Sequence, residues 1–256
     1  MSIASHEELL GMRKVSEVVA LALRKMREYA LPGMDCRELD EYGGRLILAA
    51  GANPAPKMSY GFPGYTCISV NHEVAHGIPA STKILREGDL VNIDVSAELD
   101  GFWSDNGGSF VLGGKDPHAH QPLVDASEEI LMKAIATIRP GMRIAELGRF
   151  IESSARKRGY RVIRNLVGHG IGRKLHEHPK YIPNYYDGSN IDRFRKNMVV
   201  AIETFISTGS VYAKDSNDGW TLVSGDKSFV AQHEHTIMIT DELPLILTAA
   251  NGIGAQ

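Results

Sequence analysis

Residues 90–105 read Leu-Val-Asn-Ile-Asp-Val-Ser-Ala-Glu-Leu-Asp-Gly-Phe-Trp-Ser-Asp, and this stretch decides the fold. Apolar and polar side chains alternate before Asp100-Gly101, which is a strong signal for a two-residue hairpin turn. Pairing about this turn sets Ser96 opposite Asp105. Asp94 and Asp105 then share one face as diagonal neighbours, roughly 7–8 Å apart. The two carboxylates can converge on one ligand; two solvated aspartates on an exposed face explain the pattern equally well at this point.

Two segments of the chain recur at nearly the same offset. Pro32-Gly33-Met34 returns as Pro140-Gly141-Met142, and Leu90–Asp94 lines up with Val199–Glu203. A helical pattern precedes each Pro-Gly turn and another follows it. Two matches at one offset, each strand containing a carboxylate, favour an internal repeat over coincidence.

The repeat predicts an α/β (α+β) fold built from two pseudo-symmetric halves. These halves span about 1–116 and 117–256, and they meet in a glycine-rich loop near residues 113–122. The helical patterns before the two Pro-Gly turns cover about 13–29 and 126–138. Each half contributes carboxylates to what we expect to be a shared centre, so the whole chain, 1–256, is predicted to be a single catalytic domain.

Composition narrows the class of protein. The chain has 256 residues, a formal charge of −3 and 43% hydrophobic residues, values that exclude a disordered or fibrous protein. The near-neutral charge argues against nucleic acid as a partner, because phosphate binding needs a basic excess. No apolar run approaches the ~20 residues of a membrane helix. Two cysteines and no signal-peptide pattern lead us to expect a cytoplasmic protein.

Two further carboxylates lie in apolar strands. Glu203 falls within residues 199–206, which are apolar on both faces and predict a buried strand. A buried carboxylate loses several kcal/mol of solvation unless it is paired, protonated or bound to metal. Glu234 raises the same question, and there a buried salt bridge with His233, His235 or an arginine is the alternative. Four strand carboxylates, two in each half, favour a cation.

Histidines complete the candidate site. His169 lies between glycines in Gly168-His-Gly-Ile-Gly172, where the backbone can approach a ligand closely. One imidazole among carboxylates suits a hard or borderline divalent cation, and the absence of nearby cysteines argues against structural zinc. His76 and His176 are candidates for handling protons, although a single loop histidine is more often a surface polar group.

At this point the sequence resembles the methionine aminopeptidases of metallopeptidase family M24, and in particular their short, type I-like form. The five metal ligands of that family match, in order and spacing, Asp94, Asp105, His169, Glu203 and Glu234. Six surrounding strings also resemble the family: Cys67–Asn71, His76–Pro79, Val91–Asp94, Gly168–Gly172, Asp218–Trp220 and Ala231–Thr236. The likeness runs from about residue 13 to residue 240.

The resemblance implies a pita-bread fold, in which two halves form a curved, mainly antiparallel sheet covered by helices. It implies two divalent ions of unknown identity (Co, Mn, Fe, Zn or Ni), with Asp105 and Glu234 bridging them. A metal-bridging hydroxide would attack the scissile carbonyl, and Glu203 would act as general base. His176 would stabilise the oxyanion, and His76 would contact the amide nitrogen of the bond being cut.

The resemblance also implies a methionine pocket formed by Phe62, Cys67, Leu175 and Trp220, next to His76 and His176. Apolar, polarizable side chains suit a thioether. The chain departs from the family pattern at a few positions. Asn106 replaces a usual small hydroxyl residue next to the Asp105 ligand, Leu175 replaces a common phenylalanine, His178 a common glutamate, and Thr204 a common proline.

The implied activity is removal of the N-terminal methionine from nascent proteins and peptides with a small second residue. The expected partner is therefore the N-terminal peptide of a nascent chain, at the ribosome, and the expected state is a monomer without a membrane or nucleic-acid site. Two alternatives stay open. One is a proline-directed peptidase of the aminopeptidase P or prolidase type, which usually carries an extra N-terminal domain. The other is a non-catalytic binding protein, which loss of metal ligands would signal.

Overall fold

The computed structural model describes residues 1–254 and is a mixed α/β structure. The α-helices are α1 (His6–Tyr29), α2 (Cys36–Ala49), α3 (Ala55–Tyr60), α4 (Gln121–Thr137) and α5 (Ile144–Lys157). The strands are β1 (Asn53–Pro54), β2 (Cys67–Val70), β3 (Glu73–Ala75), β4 (Leu90–Leu99), β5 (Phe102–Val111), β6 (Arg161–Val162), β7 (Val167–Gly170), β8 (Glu177–Pro183), β9 (Val199–Ser207), β10 (Ala213–Asp215), β11 (Leu222–Ser224), β12 (Val230–Met238) and β13 (Leu245–Ile246).

A 10-stranded sheet organises the molecule. Its main path runs β1-β4-β5-β12-β9-β7-β8, while β2 pairs with β4, β6 with β9 and β13 with β12. Neighbouring strands in this sheet are antiparallel. A separate 3-stranded sheet has the order β10-β11-β3. The expectation of a mainly antiparallel sheet is confirmed.

The hairpin predicted from residues 90–105 forms in the predicted register. Asp100 and Gly101 make the turn with φ of 53° and 78°, the positive values that a type I′ turn requires. Ser96 pairs with Asp105, and Asp94 pairs with Gly107. The two aspartates therefore lie on one face of the sheet as diagonal neighbours.

The second pair of long strands places the two glutamates side by side. Strands β9 and β12 pair over their full length, and Glu203 lies directly opposite Glu234. Strand β12 also pairs with β5 at three positions, and one of these sets Glu234 opposite Gly107. This β5–β12 seam joins the strands of the first half to those of the second, so all four carboxylates reach one region of the sheet.

Helices pack on the sheet with one apolar face each. On α1 the buried side chains include Val15, Val19 and Leu23, which belong to the same core as the strand residues Ile93 and Val95. α4 and α5 form a second core with β9 and β12. Burial of these apolar helix faces contributes about 25 cal/mol per Å² of apolar area and is the main source of stability.

The first helix of each half begins earlier than its apolar pattern predicts. α1 starts at His6 because Ser5 caps it, accepting a hydrogen bond from the backbone N–H of Glu8. α4 starts at Gln121 with a proline in its first turn, a favourable position. An apolar period detects neither the Ser5 cap nor the proline of the first turn of α4.

The chain between β5 and α4 forms no helix or strand, in agreement with the predicted loop near residues 113–122. The assignment of 1–256 to a single catalytic domain stays a prediction, and its last two residues, 255 and 256, lie outside the described range. Within residues 1–254, no helix is both long and apolar enough to cross a membrane.

Candidate metal centre

Three of the predicted metal ligands form a compact cluster. Ligand atoms of Asp105, His169 and Glu234 all lie within 4.8 Å of one another, and the three residues are buried. Asp94 and Glu203 are partly exposed and line the same cavity. Five side chains that are widely separated in sequence thus come together, and they lie on strands β4, β5, β7, β9 and β12. The alternative of two solvated aspartates on an open face is wrong, because Asp105 is buried and Asp94 lines the same cavity.

The carboxylates of the cluster repel one another. Burial raises the pKa of Asp105 well above its usual value, and the charges of Glu234 and Asp94 raise it further. Burial also raises the pKa values of Glu203 and Glu234 well above the ordinary range. For Asp94, burial raises the pKa although a hydrogen bond with Asp105 and the charge of His76 act in the opposite direction. A bound cation would relieve this repulsion.

The donor set fits a divalent metal. Asp105 Oδ1 and Glu234 Oε1 are buried without a hydrogen-bond partner among the described residues, and such orphaned acceptors are costly unless a cation satisfies them. His169 Nδ1 is 3.0 Å from the carbonyl oxygen of Gly170, which can only accept, so this nitrogen carries the proton. His169 Nε2 is left as a lone-pair donor. Burial lowers the pKa of His169 to about 3, which keeps the imidazole neutral, as metal binding requires.

Gln232 supports the centre, a role that the sequence reasoning missed. Its Nε2 donates to Glu234 Oε2 at 3.1 Å, and its Oε1 accepts from Asn92 Nδ2 at 2.7 Å. Gly107 makes room for this amide, since a Cβ there would lie 2.4 Å from Gln232 Oε1. Hydrogen bonds to a ligating carboxylate orient it. The sequence carries two signals: Gln232 lies in the family-like string Ala231–Thr236, and it precedes Glu234 by two positions and therefore shares its face of the strand.

Glu234 does not pair with the neighbouring histidines that were the alternative partners. His235 Nδ1 bonds to Thr248 Oγ1 at 2.8 Å, and His233 Nε2 lies 3.9 Å from Glu128 Oε2. Strand alternation explains the separation, because odd and even positions point to opposite faces. The salt-bridge interpretation of Glu234 is therefore wrong for these two residues.

A cavity of about 340 Å³ opens above the centre. It is lined by every residue that was predicted from the sequence to bind metal or substrate: Phe62, Cys67, His76, Asp94, Asp105, His169, Leu175, His176, Glu203, Trp220 and Glu234. The sequence reasoning missed Pro56, Tyr60 and Ser96, which also line it. These three carry no motif, and only the tertiary fold brings them to the site.

Part of the cavity lining is apolar. Phe62 and Trp220 meet edge to face, with ring centroids 5.2 Å apart. The loop that carries Phe62 is fixed by the buried Asp40, whose carboxylate accepts hydrogen bonds from the backbone N–H groups of Tyr65 and Thr66. Such a rigid aromatic wall can bind an apolar side chain with little loss of entropy.

The candidate proton-handling histidines lie at the mouth of the cavity. His76 follows β3 with φ of 54°, an uncommon conformation for a residue with a side chain and one often found at functional sites. The His176 ring packs 4.1 Å from the His169 ring, measured between centroids. Tyr60 Oη lies 2.5 Å from His176 Nδ1, so a residue of the first half contacts one of the second across the opening.

Most departures from the family pattern lie outside the cavity. Asn106 points away from the centre, where its Nδ2 donates to the Val95 carbonyl oxygen at 3.0 Å. Asp105 is instead supported through its backbone N–H, which donates to Thr236 Oγ1 at 3.1 Å. Thr204 is buried, with its hydroxyl 3.2 Å from the hydroxyl of Ser127. His178 is exposed, so of the four departures only Leu175 lines the cavity.

The sheet and the buried set of oxygen and nitrogen donors that faces the cavity are typical of a metalloenzyme. The family model of metallopeptidase family M24 matches residues 11–241. The chain therefore belongs to metallopeptidase family M24.

Proteins named methionine aminopeptidase are similar to this chain over nearly its whole length. It is 48% identical to methionine aminopeptidase 2 of Bacillus subtilis over 248 residues, which is 97% of this chain and 99% of that protein. The crystal structure of methionine aminopeptidase from Thermotoga maritima superposes with a TM-score of 0.92 at 38% identity, covering 97% and 99% of the two chains. Prolidase from Pyrococcus furiosus gives a TM-score of 0.77 at 25% identity, with 65% of its chain covered. The expected pita-bread fold is confirmed by these neighbours.

Proposed function

We propose that this chain removes the N-terminal methionine from peptides and nascent proteins whose second residue is small. The observation that carries the proposal is that one cavity is lined both by the metal-ligand cluster and by an apolar wall that includes Phe62 and Trp220. A free N-terminal residue can place its side chain against the wall while the bond that follows it lies over the cluster. The near full-length similarity to proteins named methionine aminopeptidase supports the same activity.

We propose two divalent ions in the cluster. Asp105 and Glu234 would contact both, Asp94 would complete one site, and His169 with Glu203 the other. The closeness of Asp105, His169 and Glu234 and the unpartnered oxygens Asp105 Oδ1 and Glu234 Oε1 support cation binding here, and the division between two ions follows the likeness to the family. When bound, the ions supply Lewis acidity, which lowers the pKa of water and polarises a carbonyl oxygen.

The remaining steps belong to side chains of the cavity. Glu203, partly exposed to it, would accept the proton of the attacking water at a carboxylate oxygen. His176 and His76 stand exposed at the mouth, where ring N–H groups would donate to the developing oxyanion and contact the amide nitrogen, respectively. The methionine side chain would be bound, and kept from water, by four side chains of the lining: Phe62, Cys67, Leu175 and Trp220.

The decisive assay compares peptide substrates. We expect the purified protein to release methionine from Met-Ala or Met-Gly peptides, to lose this activity in chelator and to regain it with Mn²⁺, Fe²⁺, Co²⁺, Ni²⁺ or Zn²⁺. Testing each ion separately identifies those that the enzyme can use. Turnover of an Xaa-Pro peptide without turnover of the methionyl peptides would instead establish a proline-directed peptidase, for which the likeness to prolidase is the supporting observation. Metal binding without turnover of either class would indicate a binding protein.

We propose the cellular location, the oligomeric state and the domain organisation on the same basis. A substrate that is a nascent N-terminus places the reaction at the ribosome and in the cytoplasm. All five proposed ligands come from one chain, so a monomer suffices for the reaction. For the same reason we propose that the two halves act as one catalytic domain.

A further inference from the structure

Tyr60 and His176 form a link across the mouth of the cavity. Tyr60 is the last residue of α3, whereas His176 immediately precedes β8, so the two belong to different halves of the chain. The distance from Tyr60 Oη to His176 Nδ1 is 2.5 Å, a short hydrogen bond. The ring centroids are 6.0 Å apart and tilted by 47°, so the contact is made through the hydroxyl and not by stacking.

We propose that Tyr60 is a positioning residue, which donates its hydroxyl proton to His176 Nδ1 and thereby keeps the proton of the imidazole on Nε2. This inference rests on the proposed function, in which His176 donates a hydrogen bond to the substrate. A neutral imidazole carries one N–H and one lone pair, and the partner of one nitrogen decides the state of the other. With Nδ1 accepting from Tyr60, the other ring nitrogen is a donor.

The surroundings of the two rings favour this arrangement. Tyr60 is 53% exposed, so its ring contributes little to the core and the hydroxyl is its distinctive contact. Among the described residues, the hydroxyl forms no hydrogen bond other than that to His176. His169 packs against the His176 ring at a centroid distance of 4.1 Å. The His176 ring is thus held both by packing and by one directed hydrogen bond.

The opposite orientation has a different chemical outcome. If His176 donated from Nδ1 to the phenol oxygen, Nε2 would be a lone pair and could not donate to an oxyanion. An imidazole nitrogen is a better acceptor than a phenol oxygen, and a phenol is a good donor, which favours the first orientation. The two orientations differ in where one proton resides, and this is measurable.

The kinetic test uses Tyr60→Phe, which keeps the ring and removes only the hydroxyl. We expect kcat on a Met-Ala peptide to fall about five- to tenfold, the usual cost of one hydrogen bond, with KM within about twofold. The same change made in a His176→Gln background should have no further effect, because Tyr60 acts through His176. Tyr29→Phe is the matched control: Tyr29 Oη bonds to Glu38 Oε1 at 3.2 Å on the surface of the protein, and its loss should leave kcat unchanged.

The second readout needs no turnover. In ¹⁵N-histidine-labelled protein, protonated and unprotonated ring nitrogens resonate far apart, and His176→Gln identifies the signals of His176. We expect wild-type protein, metal-free and with Zn²⁺, to show a protonated Nε2 and an unprotonated Nδ1, and Tyr60→Phe to show a mixture. A protonated Nδ1 in the wild type, or the same spectrum in both proteins, overturns the inference. An unchanged kcat in Tyr60→Phe, or an equal fall in the His176→Gln background, also overturns it. If the wild type releases no methionine, the proposed function fails and the spectra still decide the role of Tyr60.

Discussion

Asp105 experiences two opposing demands. As the metal ligand that we propose, it must be charged, yet burial and its acidic neighbours raise its pKa well above the usual value in the metal-free protein. In the unfolded chain the carboxyl is ionised above about pH 4. Between that pH and its raised pKa the folded state binds one more proton than the unfolded state, so this group reduces stability as pH rises.

Asp105→Asn should therefore stabilise the metal-free protein while it disables the enzyme. The amide mimics the protonated acid, so the gain in melting temperature over wild type should be larger at pH 8 than at pH 5. Methionine release should fall by more than about a hundredfold, because changes outside the ligand shell alone cost about 10–100-fold. Calorimetry of the metal-free proteins at both pH values measures the first effect. Asp241→Asn, at an exposed ion pair, is the control, and wild-type activity or metal content in Asp105→Asn would refute the ligand role.

At the scale of elements, the strand register is the part of the site that sequence reasoning reaches. Asp100-Gly101 is a local turn signal, and it alone fixed which face carries Asp94 and Asp105. The contacts of Gln232 and Tyr60 could not be found this way. Each depends on side chains brought together by pairing or packing between segments more than a hundred residues apart.

The β5–β12 seam leads to a prediction for Gly107→Ala. A Cβ there meets Gln232 Oε1 at 2.4 Å and must displace the amide that supports Glu234. We expect metal affinity to fall about tenfold or more, in the range of losses typical of outer-shell changes. Titration calorimetry with Zn²⁺ measures it. Gly114→Ala, where an added Cβ meets nothing within 4 Å, should keep wild-type affinity; equal affinities in the two variants would contradict the supporting role of Gln232.

At the scale of the whole molecule, neither half holds all five proposed ligands. Asp94 and Asp105 come from residues 1–116, whereas His169, Glu203 and Glu234 come from 117–256. We expect neither fragment, expressed alone, to bind metal with the affinity of the intact chain, and co-expression to restore binding. Full-affinity binding by one fragment would show that the centre is not shared. Equilibrium dialysis with zinc detection on each fragment and on the pair gives the answer.

Metal removal should also lower the stability of the whole chain. A ligand that binds only the folded state stabilises it by RT ln(1 + [L]/Kd), about 2.7 kcal/mol at a hundredfold excess over Kd. Relief of repulsion among the buried carboxylates is part of this binding energy. Differential scanning calorimetry with increasing Zn²⁺ should show a rising melting temperature in wild type and little rise in Asp105→Asn. An equal rise in both would indicate binding elsewhere.

The position of Glu234 on the seam also determines when the proposed ligands can come together during synthesis of the chain. The ribosome makes the strands that carry Asp94 and Asp105 first, and these can pair as soon as their turn has emerged. The centre is completed only when the strand bearing Glu234 follows and inserts between β5 and β9. If the five proposed ligands hold the metal, a growing chain cannot assemble the proposed centre until its strand β12 is in place.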